Sequence, residues 1–331
     1  MKRFHYVALV AIMLVLIIVL LLYPERESLR KPKETFPVKI VHFLPHEIDD
    51  GSWNQMGYEA MQKIAEEQNL QVLTYAKTSP AMVDSIVSSL KHEKSLFVVA
   101  HGGEYVNALE PVALKYPHYK FGVVGHYAGN GRNYGSITTG VGFCYLAGAL
   151  AAMKSKSGHI GLIAGQDLKH IVSQYHAFVS GAKDINPAIK TSVRYVGSWE
   201  DKPLSLKLAN ELISANVDVM MINVDKVSPA IHSLARDNNI LSISVTTDER
   251  KNYPGSVIAA VMTDFPKMMN IAIKLFILGK WEGKLNLFGL TEGATFVELD
   301  ESAYSDEQKQ RYNDLYAKLI QKQISIPDYL E

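Results

Sequence analysis

From residue 38 to residue 245 the chain alternates between short β-branched runs and amphipathic helical segments, and the alternation runs through twice. The first series reads as strand 38–44, helix 58–67, strand 70–75, helix 82–91, strand 95–100, helix 105–115 and strand 120–124. Residues 136–139 add a short fifth strand, and residues 143–153 a small-residue-rich apolar helix that reads as sandwiched between lobes or packed at a partner surface. The second series reads as strand 159–164, helix 171–183, strand 190–196, helix 203–215, strand 217–222, helix 227–238 and strand 240–245. A helix over 266–278, a strand over 295–299 and a helix over 306–321 close the chain. Strands alternating with helices build parallel sheets through right-handed crossovers. The pattern therefore predicts an α/β protein of two doubly wound parallel-sheet lobes. On this reading residues 37–152 with 262–284 form the first lobe, and residues 153–261 with 285–331 the second.

Ahead of this body, Lys2 and Arg3 precede an almost wholly apolar run from Tyr6 to Tyr23, near the length that spans a bilayer. No small-residue cleavage pattern stands before Pro24, and no cysteine follows the run. Residues 1–23 thus read as an uncleaved membrane anchor, and residues 24–36, with seven charges, as a juxtamembrane linker. Lys2 and Arg3 favour a cytoplasmic N-terminus, while Arg26, Arg30, Lys31 and Lys33 pull the other way. The reading adopted is a single-pass anchor in the cell membrane with the body outside the cytoplasm.

Composition excludes some functions. Lys plus Arg and Asp plus Glu number 34 each, so formal net charge is zero, and no basic block is present. Nucleic-acid binding leans on phosphate neutralisation and is not expected. Cys144 is the single cysteine, flanked by Phe143 and Tyr145, and reads as a buried inert thiol. The chain contains no G-x-x-x-x-G-K-[ST], H-E-x-x-H or G-x-S-x-G motif and no cysteine pair for zinc. Gly129-Asn130-Gly131 and Gly140-Val141-Gly142 lack the third glycine of a dinucleotide loop. His101 with Glu104 supplies only two metal-ligand types. Neither an enzyme nor a cofactor or metal is expected.

Binding groups gather where strands end, which is where open α/β sheets place ligands. The richest stretch is Asp49-Asp50-Gly51-Ser52-Trp53-Asn54-Gln55, read as a strand-to-helix loop with acceptors, an aromatic plate and two amides. His101, Glu104 and Tyr105 follow the third strand; Gln166 and Asp167, Trp199 and Asp201, Asn223, Asp225 and Lys226, then Thr247 and Asp248 follow the strands of the second series. Carboxylates there suit hydroxyl-bearing ligands because they only accept hydrogen bonds, and Trp53 suits a planar ring. Capping of the next helix remains the alternative for each polar residue taken singly, above all Asp201, Asp225 and Asp248.

At these residues the chain resembles the basic membrane protein family, the PnrA-like purine-nucleoside receptors of bacterial ABC importers. The likeness rests on Asp50-Gly51-Ser52-Trp53-Asn54-Gln55, on Gly102 to Tyr105 with Ala113 to Pro117, on Gly142 to Ala152, on Ile160 to Asp167, and on Tyr195 to Asp201. It covers about residues 37–300. The resemblance implies a type I periplasmic binding protein-like fold and a nucleoside or similar small polar ligand clamped between lobes. Carried over by position, it implies that Asp50 and Asn54 contact the ligand, Trp53 stacks on the base, Asp248 holds ribose and Lys267 is the family's lysine. With Tyr105, Asp167 and Asp225 from the strand ends, these residues form the expected site. The implied partners are an ABC transporter permease or a regulatory protein, with the bilayer met through the N-terminal helix. Asn223-Val224-Asp225-Lys226-Val227 stands where the receptors have a glycine-rich turn. His101 to Tyr105 is similar to the family's Med-like, membrane-associated regulators of competence. The alternative implied is a regulatory protein with a degenerate cleft.

Overall fold

The computed structural model describes residues 39–49 and 53–326. The expected anchor, the linker and Asp50 lie outside the described residues. Among the described residues no helix is long and apolar enough to cross a membrane.

The first series comprises β1 (Lys39–Phe43), α1 (Trp53–Gln68), β2 (Gln71–Tyr75), α2 (Val83–Ser89), β3 (Leu96–Ala100), α3 (Val106–Lys115), β4 (Lys120–Val124) and β5 (Tyr134–Thr139). After α4 (Gly142–Lys154) the second comprises β6 (His159–Ala164), α5 (Lys169–Ile185), β7 (Lys190–Tyr195), α6 (Lys202–Ser214), β8 (Val219–Asn223), α7 (Ser228–Asp237), β9 (Leu241–Val245) and β10 (Val257–Thr263). The chain continues through α8 (Phe265–Ile277), β11 (Leu285–Phe288), β12 (Thr295–Leu299) and α9 (Asp306–Ile320).

Among the described residues these strands form two six-stranded sheets, ordered β2-β1-β3-β4-β5-β11 and β7-β6-β8-β9-β10-β12. All neighbours are parallel except the antiparallel pair β10 and β12. Helices cover parallel sheets on both faces, which is why β3 (LFVVA) and β8 (VMMIN) are buried along their whole length. Both sheets lie within one compact unit that begins at Lys39.

Three elements depart from the sequence reading. The apolar helix, α4, was expected in the first lobe. It packs instead against α5 and the second sheet, its buried face running from Phe143 to Ala152 among Ile160, Leu162, Phe178 and Val261. Its small side chains let it lie in close contact with α5, so its all-round apolarity reflects a core position. β11 was assigned to the second lobe but pairs in parallel with β5, Leu285 opposite Ser136, and so belongs to the first sheet. Finally, α1 begins at Trp53, not Tyr58, which puts Trp53, Asn54 and Gln55 in the first helical turn.

The chain passes between the sheets three times, at Thr139 to Gly142, Thr263 to Phe265 and Phe288 to Thr295. Each passage leaves the carboxyl end of a strand. The three run side by side: Gly140 N–H donates to Phe288 O at 3.1 Å, and Asp264 N–H to Ala294 O at 2.8 Å. Three adjacent crossovers thus join the carboxyl ends of the two sheets.

Candidate functional site

A doubly wound sheet opens a crevice where neighbouring strands send the chain in opposite directions. In the first sheet that point lies between β1 and β3; in the second it lies between β6 and β8. Trp53 follows β1 and His101 follows β3, so the first crevice is theirs. Residues 165–167 and 224–226 line the corresponding place in the second sheet. Burial, and in smaller part His126 after β4, lowers the pKa of His170 after β6 to about 4.

The first crevice is aromatic. The His101 ring stacks on the Trp53 indole with centroids 4.3 Å apart and planes at 30°. Its Nε2 lies 2.9 Å from the Trp53 carbonyl oxygen. A carbonyl only accepts, so Nε2 carries the proton. Phe265, the first residue of α8 beyond the second crossover, meets the His101 ring edge-on at 4.9 Å and the indole at 5.6 Å. His101 and Phe265 are buried, whereas Trp53 is 39% exposed. Gly57 explains how the ring fits: a Cβ there would fall 2.6 Å from the imidazole, so only glycine lets helix and ring approach so closely. Beneath lies His42, fully buried and 5.8 Å from His101 in a T-shaped contact. Burial holds its pKa well below the usual histidine value, and His101 adds to the effect.

Of the other first-half residues expected at the site, Asn54 and Tyr105 bond within the protein and Lys267 is exposed. Asn54 is 2% exposed, and its Oδ1 accepts the His46 N–H at 3.4 Å, organising the loop after β1. Tyr105 is fully buried against Phe43, its hydroxyl donating to Thr78 O at 2.5 Å. Burial raises its pKa. Lys267 is exposed in the first turn of α8; its Nζ reaches the third crossover, within 2.5 Å of where a Gly293 Cβ would stand.

The strand ends of the second sheet are polar, and much of that polarity is already used. Asp248 accepts Arg250 Nε–H and Nη2–H at 2.8 Å each, a two-pronged bond that holds its carboxyl below the usual carboxylate range. Arg250 also donates from Nη1 to Leu299 O and from Nη2 to Glu298, tying the loop after β9 to β12. Asp201 caps α6 by accepting Leu204 N–H at 3.0 Å. Asn223 donates to Gln174 Oε1 at 3.2 Å, and Lys226 pairs with Glu200 at 3.3 Å. Asp167 and Asp225 are exposed, Asp225 with φ at +43°. Trp199 lies flat on the turn after β6, where a Gly165 Cβ would fall 2.2 Å from its ring.

The structure thus brings Trp53 to a crevice with His101 and Phe265, and gives Asp248 to Arg250. The sequence reading left His101, Phe265 and Arg250 out of the site. The signal for His101 was Gly57, a helix-weakening residue on a face otherwise built from Ala60, Met61 and Ile64. Among the described residues no three His, Cys, Asp or Glu side chains converge as a metal site. Cys144 is buried, and burial raises its thiol pKa.

The family described as Bmp, ABC transporter substrate-binding protein PnrA-like, matches residues 37–329. The chain belongs to this family. Among Bmp relatives, the transcriptional activator protein med of Bacillus subtilis is 25% identical over 287 residues, 85% of this chain and 87% of that protein. A purine-binding protein of Brucella abortus is 25% identical over 233 residues, 66% of this chain and 64% of its own length. A crystal structure of a transcriptional activator of the comK gene from Bacillus halodurans superposes with a TM-score of 0.73 at 21% identity. That match covers 88% of this chain and 99% of the other. The fold is that of the periplasmic binding proteins, and the family is described as one of ABC transporter substrate-binding proteins.

Proposed function

We propose that this Bmp protein binds a small planar polar ligand, a purine nucleoside by preference, between its two halves, and delivers it to an ABC importer or senses it. The observation that carries the reading is Trp53, at the switch point of the first sheet, 39% exposed and with its indole stacked on His101. An indole face suits a nucleobase, and aromatic stacking on a base is worth about 1–3 kcal/mol. The likeness to a purine-binding protein supports the same ligand class. No bond is made or broken: the halves close about the three crossovers, and the ligand favours the closed state. The body acts outside the cytoplasm, held by the apolar segment at residues 1–23. Asp50, Asp167 and Asp225 remain the candidate acceptors for ligand hydroxyls. A thermal-shift panel of nucleosides on the purified protein tests the reading. Adenosine at about 100 times its Kd raises stability by about 2.7 kcal/mol. No shift with any nucleoside at millimolar concentration contradicts it.

A second reading has its own support. Asp248 is clasped by Arg250, and Asp225 and Lys226 project side chains at the turn after β8. Together with the likeness to med, this favours a regulatory protein that works through a protein partner. On that reading deletion changes gene expression and leaves nucleoside uptake unchanged.

A further inference from the structure

His101 does not resemble an ordinary core histidine. Its ring is fully buried and meets one residue in two ways: it stacks on the Trp53 indole at 4.3 Å and holds the same residue's carbonyl oxygen at 2.9 Å. Two contacts of different kinds to one residue fix both its ring and its backbone. Phe265 closes the indole's edge at 5.6 Å and the imidazole's side at 4.9 Å. Gly57 leaves the room this arrangement needs, since any Cβ there would strike the imidazole.

We infer that His101 is a positioning residue for the ligand plate. It covers one face of Trp53, tethers the start of α1 to the end of β3, and leaves only the opposite indole face for a planar ligand. The inference rests on Trp53 being that plate. A preset ring loses less freedom when a ligand stacks on it, so the gain appears as affinity. Phe265 begins α8 directly beyond the second crossover, so the clamp also joins the plate to the crossovers.

The test separates the plate's position from the ligand's identity. Trp53, Trp199 and Trp281 give three fluorine resonances when the protein is made with 5-fluorotryptophan, and Trp53→Phe assigns the first. In the unliganded protein, His101→Ala should shift and broaden the Trp53 resonance and leave the other two in place. His101→Gln, which can keep a donor for the Trp53 carbonyl, should restore part of the sharpness. His232→Ala removes another fully buried histidine in the second half and should leave the Trp53 resonance unmoved. Adenosine affinity should fall about tenfold in His101→Ala and less in His101→Gln. An unmoved Trp53 resonance in His101→Ala overturns the inference. So does equal movement of all three resonances, which would make His101 a general packing residue. If the resonances behave as stated and the wild type binds no nucleoside, the positioning role stands and the nucleoside reading fails.

Discussion

The crevice between β1 and β3 and the crevice between β6 and β8 come from one strand order, repeated, but their side chains are committed differently. In the first, His101 stacks on Trp53, Phe265 meets both rings edge-on, and Trp53 stays 39% exposed. In the second sheet, the carboxylate of Asp248 after β9 has two Arg250 donors, Asp201 after β7 caps a helix and Asn223 at the end of β8 bonds Gln174, while Asp167 and Asp225 at the crevice are exposed. Topology sets where a ligand can lie; what the protein has not already used decides what can hold it. A carboxylate at a strand end is soon satisfied by a nearby guanidinium or helix N–H. An indole face asks for no such partner, so it is left over for something from outside.

The largest expected effect tests the buried histidines of the two halves together. His42 in the first half and His170 and His232 in the second all have lowered pKa values, chiefly through burial, the latter two to about 4. Above the ordinary value of about 6.5 they are neutral both folded and unfolded and contribute no pH dependence. Below it the unfolded chain takes up protons that the folded chain refuses, so stability falls as pH falls toward 4. His170 and His232 each remove on the order of 2 kcal/mol by about pH 5. Urea unfolding at pH 7 and pH 5 reads this directly, and His42→Leu should shrink the difference. Equal stability at the two pH values contradicts it.

Next in size is the contrast in ligand binding between the halves. Trp53→Ala should weaken adenosine binding about 10- to 100-fold. Asp248→Asn should change it less than about threefold, because its carboxylate already serves Arg250; calorimetry that ranks the two the other way reverses the comparison. Gly57→Ala comes third. It gains about 1 kcal/mol of helix propensity and loses about 1–3 kcal/mol to overpacking against His101, so the protein should be destabilised on balance and bind adenosine more weakly. The smallest effect is Asp201→Ala, which removes a helix cap at a cost of about 1 kcal/mol and should leave adenosine affinity unchanged in the same titration.

The βα alternation was legible because buried parallel strands are continuous apolar runs: β4, β6 and β12 fall on the residues read from sequence. β10 and β11 were not read as strands. β11 has only four residues with alternating burial, and its place beside β5 depends on a crossover that local pattern cannot show. For the same reason α4 went to the wrong half: its apolar surface says that it is buried, not against which sheet. At the site, Trp53 was visible as an aromatic residue after a first strand. The clasp on Asp248 was not, because Arg250 two residues on reads equally well as a solvated cation. His101 was read as a strand-end binding group and as half of a metal pair, but not as a stacking partner of Trp53, which lies 48 residues away in sequence.

The central claim is that Trp53 is the surface on which a planar ligand stacks. Titrating adenosine into the 5-fluorotryptophan protein tests it most directly. The Trp53 resonance should move to saturation, while that of Trp281, buried with its Nε1–H on Phe121 O, stays fixed. A saturable shift confined to Trp199, or none at all at millimolar adenosine, would contradict the account.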